Sequence, residues 1–232
     1  LLLDKESLEP LDVLIICTTE GPPLTSAELA ALRTWVECGG ALIISAFSNW
    51  SQYGHFAREA VGWLSVVPIP DARFNRYALH AIEPHSGHSF DGAPRPIAAH
   101  GEETQALISS ASPFGEVSHF PNLGETLFEV RESAFAAGAI QLTTTFHGRS
   151  LLQDDGRWLA NLVFFPPRMT QDGGVTGRGR VLVCSNYHWL ADGHHWMGGL
   201  FASSEYPARL LLNFIAGAVA ARVGCRWPLS ND

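Results

Sequence analysis

The chain has 232 residues, 46% of them apolar and 16% charged, with a net charge of −8. A charged fraction below the usual ~25% excludes disorder and a long solvent-bridging coiled coil. The acidic balance excludes the basic face that nucleic acid or anionic lipid requires. The longest apolar run, Leu210 to Val219, is broken by Asn213 and falls short of the ~18 residues of a membrane span, so no membrane insertion is expected.

The chain opens Leu1-Leu2-Leu3-Asp4, with neither an initiator Met nor a basic n-region, and reads as a piece of a longer protein with no visible targeting signal. Cys17, Cys38, Cys184 and Cys225 form no C-x-x-C pair. They read as buried free thiols of a reducing, intracellular compartment.

Asp12 to Cys17 is a continuous apolar run that ends in Gly21-Pro22-Pro23, the pattern of a strand buried on both faces. Thr25-Ser-Ala-Glu28 has the spacing of a capping box, and Leu29, Leu32, Trp35 and Val36 follow on one helical stripe. Gly39-Gly40 stops that helix, and Ala41 to Ser45 starts at once as a second buried strand. Together these form a strand–helix–strand unit, which in parallel sheets crosses over right-handedly.

A polar and aromatic loop over Ala46–Gln52 precedes an expected short helix over His55–Leu64. Residues 68–101 carry Pro68, Pro70, Pro84, Pro94 and Pro96 and predict an irregular excursion, extending as an insertion over about 68–135. Leu107-Ile108, Val117 and Leu127 to Val130 are weak strand candidates within it. Ile140 to Phe146 alternates and predicts a strand with one wetter face, and Trp158 to Phe165 favours a short strand before Pro166-Pro167. Val181 to Ser185 is a further buried strand, and a final helix runs from about Pro207 to Val223 with Leu211, Phe214, Ile215 and Val219 on one side.

The G-x-G at 177–179 precedes a strand, whereas a dinucleotide fingerprint follows one and opens a helix; Lys5 is the only lysine, so no Walker lysine exists. This loop predicts an inter-strand connection, and no cofactor is implied.

The combination Asp12–Cys17, Thr25–Val36 and Gly39–Ser45, closed by Gly179-Arg180, Val181–Ser185 and the Leu-Leu-Leu-Asn-Phe-Ile helix, resembles noncatalytic members of the class I glutamine amidotransferase-like superfamily. The resemblance covers about 12–65 and 178–220. It implies an α/β fold, a three-layer flavodoxin-like sandwich with a mostly parallel sheet, in one domain over 1–232, with a leading strand and helix before Leu1. Active members of that superfamily carry a nucleophilic cysteine in a G-x-C-x-G turn and a later His-x-Glu pair. Here the turn reads Ala46-Phe47-Ser48-Asn49, Cys38 lies at a helix end on the other side of the strand, and His188-Trp189-Leu190 lacks the glutamate. The resemblance therefore implies a member without amidotransferase chemistry.

In open α/β sheets ligands bind at the C-terminal ends of the strands, which places the candidate site in the loops 46–53 and 186–201. Ser48, Asn49, Trp50, Asn186, His188 and Trp189 are the binding candidates, since aromatic and glycine-rich loops grip a protein or small-molecule ligand with large contact area. Two chemical alternatives share those loops. His188, Asp192, His194 and His195 offer imidazole and carboxylate donors for a divalent metal. Ser48 (or Ser45), with His188 as base and Asp192 as orienter, has the composition of a hydrolase triad but lacks the G-x-S-x-G elbow. A purely structural oligomerisation domain would instead show a large apolar face on its helices.

Overall fold

The computed structural model describes residues 3–16, 24–45, 63–70, 78–81, 102–122, 126–142, 159–160, 162–167, 177–184 and 205–222. The strand–helix–strand unit forms as its sequence predicts: β1 (Val13–Ile16), α2 (Ser26–Glu37) and β2 (Ala41–Ser45), with β1 and β2 parallel in the register Val13↔Ala41 to Ile16↔Ile44. A short helix, α1 (Lys5–Leu8), precedes β1. It is set by Asp4, whose carboxylate accepts the Ser7 N–H at 2.9 Å, a cap the sequence analysis did not single out.

At the start of α2 the Glu28 N–H donates to the Thr25 hydroxyl (3.2 Å), while Glu28 Oε2 accepts the Thr25 N–H (2.9 Å) and hydroxyl (2.7 Å). Those two donors hold the Glu28 carboxyl below its ordinary range, the backbone N–H contributing most. Its folded pKa lies below the unfolded one, so the bond stabilises the fold above the unfolded pKa and is lost as pH falls through the folded value. Thr25→Ala is expected to lower stability by about 1 kcal/mol at pH 7. In urea titrations that deficit should shrink on acidification to about pH 3, because protonation of Glu28 weakens the same box in the wild type; a pH-independent deficit would show that the box does not act in solution.

The far end of α2 closes in a Schellman arrangement. The Gly39 N–H donates to Val36 O at 2.9 Å and the Gly40 N–H to Trp35 O at 3.0 Å, with Gly39 at φ +111°. Trp35 lies flat against Gly40, where a Cβ would overlap the indole ring, and its Nε1–H donates to Leu11 O at 3.2 Å. Leu32, Trp35 and Val36 are buried and Leu29 packs against the same core, as the stripe predicts.

Among the described residues the central sheet has five strands in the order β1-β2-β10-β9-β7, where β7 is Ile140–Gln141, β9 is Leu162–Phe165 and β10 is Arg180–Cys184. β10 is parallel to β2, but β9 is antiparallel to β10 and β7 to β9. The sheet is therefore mixed, which corrects the mostly parallel expectation. The reason is local: parallel neighbours are usually joined by an amphipathic crossover helix, and the 14-residue segment between β9 and β10, which opens Pro166-Pro167 and is rich in glycine, carries no apolar helical stripe.

Two further expectations are corrected. β1 is an edge strand among the described residues and its Ile15 is exposed, so it is not buried on both faces. Ile140, Gln141 and Leu142 are all buried, so the expected wetter face is absent from the described part of that segment. The helix expected over His55–Leu64 lies outside the described residues except at Trp63 and Leu64, which lie in a turn.

The excursion is more regular than its prolines suggest. β3 (Val66–Pro70), β6 (Thr126–Val130) and β8 (Leu159–Ala160) form a three-stranded antiparallel sheet, and β4 (Ala78–Ala81) pairs with β5 (His119–Asn122). Arg131 N donates to Ser65 O next to the pair Val66↔Val130. That phase turns the nitrogens of Val67 and Ile69 toward β6 and those of Pro68 and Pro70 outward, where a missing N–H costs nothing in the ladder. Prolines read as breakers are thus guards of an edge. Leu107-Ile108 ends a helix, α3 (Glu102–Ile108), and Val117 lies outside any strand, while Leu127–Val130 is extended as expected.

Alternate residues of the central strands feed two cores. Leu42, Ile44, Val181, Val183, Val163 and Phe165 pack with α2, with Leu3 and Leu8 around α1, and with Ala134 of α4 (Glu132–Ala136). Ala41, Ile43, Leu182, Cys184, Leu162 and Phe164 pack with α3 and with α5 (Tyr206–Arg222). On α5 the buried residues are Pro207, Leu210, Asn213, Phe214 and Ala218, whereas Leu211 and Ile215 are only partly buried and Val219 is exposed. The buried stripe is rotated from the expected one because Asn213 turns inward: it accepts the Phe114 N–H at 2.8 Å and donates to Leu107 O (2.9 Å) and Gly115 O (3.0 Å). Phe164 meets Phe214 edge to face, with ring centroids 6.3 Å apart.

Candidate functional site

β1, β2 and β10 run in one direction, so their C-terminal ends share one edge of the sheet. There the register pairs Cys184 with Ser45, and both side chains are fully buried on the α5 face. Adjacent strands lie ~4.8 Å apart, so a hydroxyl and a thiol sit side by side beneath the edge, in line with the apolar Ile43 and Leu182. A nucleophile must reach its substrate, and Ser45 is enclosed; the alternative that uses Ser45 is corrected on this ground. Sequence reasoning placed the two residues on separate strands, and only the β2–β10 register makes them neighbours.

The loop that bears Ser48, Asn49 and Trp50 leaves β2 directly after Ser45, and the loop that bears Asn186, His188, Trp189, Asp192, His194 and His195 leaves β10 directly after Cys184. The structure brings the roots of the two loops together on adjacent strands. The nine candidate side chains themselves lie outside the described residues, as do Cys17, Cys225 and the expected Asp154-Asp155-Gly156 turn. Among the described residues no group of three His, Cys, Asp or Glu side chains is arranged to hold a metal.

The opposite edge is closed by packing. Cys38 is the C-cap of α2, just before β2 begins, and neither it nor Cys184 forms a disulfide. The G-x-G loop also belongs here. The Arg178 N–H donates to Glu37 O at 3.0 Å and the Arg180 N–H to Gly40 O at 3.3 Å, so these amides satisfy carbonyls at the C-terminus of α2. A loop whose N–H groups face a helix C-terminus is spent on structure and is the wrong end of the dipole for phosphate. Gly177 (φ +52°) and Gly179 permit this approach, since a Cβ on either would overlap α2 backbone oxygens. Buried Arg180 then reaches across to α5, where it lies against Gly217.

No helix among the described residues is long and apolar enough to cross a membrane. No protein-family model matches this chain, and no curated protein matches it. Among solved structures it is similar to the N-terminal domain of mmIFT52, with a TM-score of 0.53 and 13% identity over 93% of this chain and 81% of that one. It also resembles the cytoplasmic protein STM1381 from Salmonella typhimurium LT2, with a TM-score of 0.49 and 15% identity over 92% of this chain and 74% of that one. At 13% identity the IFT52 likeness is one of fold and assigns no activity.

Proposed function

We propose that this chain is a flavodoxin-like, three-layer α/β module of the noncatalytic glutamine amidotransferase-like kind, and that it binds a protein or small-molecule ligand through the loops 46–53 and 186–201. The observation that carries the reading is the adjacency of β2 and β10. Two aromatic loops, the second of them also rich in glycine, spring from neighbouring parallel strands at the edge where α/β sheets bind ligands. Helices on both faces of the sheet and the fold likeness to the IFT52 domain support the architecture. The enclosed Ser45 and the placement of Cys38 at the opposite edge support recognition over nucleophilic catalysis.

Trp50→Ala and Trp189→Ala are expected to weaken partner capture roughly 30-fold each, the loss typical of an aromatic anchor, without changing the circular dichroism spectrum. Quantitative pull-downs that recover the same partners at the same yield from wild type and both variants would refute the reading. The alternative, a hydrolase or metal-dependent enzyme that uses Ser48 or the His188/Asp192/His194 cluster, predicts stoichiometric metal in the purified protein or ester hydrolysis abolished by Ser48→Ala.

A further inference from the structure

We draw no further inference here: the strongest candidate, the exposed Phe114 that Asn213 holds on the loop after α3, is a single apolar side chain, and nothing in the structure shows what covers it.

Discussion

Gly179→Ala is expected to lower stability by about 3 kcal/mol, the upper end of the cost of overpacking a close-packed site. A Cβ at this position overlaps the carbonyl oxygens of Val36 and Gly40. Those atoms cannot rotate aside. Val36 O accepts the Gly39 N–H inside the Schellman closure, and Gly40 O accepts the Arg180 N–H. Relief therefore requires α2 and β10 to move apart, which opens the packing of Val36 against Val181 and Val183 within the same core. For a chain of this size the loss corresponds to a fall in melting temperature of roughly 6–12 °C. Equilibrium denaturation in urea measures it directly, and a Gly179→Ala variant within ~0.5 kcal/mol of wild type would show that the close approach of the loop to α2 does not persist in solution.

Asn213→Ala is expected to cost a similar amount, about 3 kcal/mol, by a different route. The substitution removes one acceptor and two donors at once. It leaves the Phe114 N–H and the carbonyls of Leu107 and Gly115 without the side chain that satisfies them, and each buried group so stranded costs ~1–3 kcal/mol unless water reaches it. Hydrogen exchange at the Phe114 amide should accelerate more than exchange at α2 amides, since the loop after α3 loses its anchor before the sheet does. Asn213→Asp provides the sharper contrast. An aspartate can still accept from Phe114 but sets a charge against two carbonyls, so its folded pKa must be raised and the variant must lose stability as pH rises past the unfolded carboxylate value near 3.9. An Asn213→Asp variant as stable as wild type at pH 7 would mean that the clamp is not formed.

Elements with a local physical cause were legible from residue order. Thr25 and Glu28 specify the start of α2, Gly39-Gly40 its end, and the apolar runs at 41–45 and 181–184 the two strands at the heart of the sheet. What failed depended on partners distant in the chain. The stripe on α5 was misplaced because a periodicity count treats Asn213 as an outward residue, whereas three partners between 107 and 115 draw it inside. The prolines at 68 and 70 read as breakers because nothing local tells an outer edge from an inner one. The run Trp158–Phe165 predicts one strand, but Leu159–Ala160 pairs in the β3–β6–β8 sheet and Leu162–Phe165 in the central one. For the candidate site, residue order indicated which loops to join, and the β2–β10 register showed that they start on adjacent strands.

Residue order by itself determined where the core elements begin and end, since caps, helix stops and apolar periodicity act within a few residues of one another. It also determined the absence of a Walker lysine and of a cysteine in the turn after β2. Tertiary structure alone decided the direction of β9, the burial of Ser45 and Asn213, and the service of the Gly177–Gly179 loop to α2. The physical reason is common to all of these. Burial and strand pairing depend on which surfaces meet, and those surfaces come from residues as many as 106 positions apart, as Leu107 and Asn213 are.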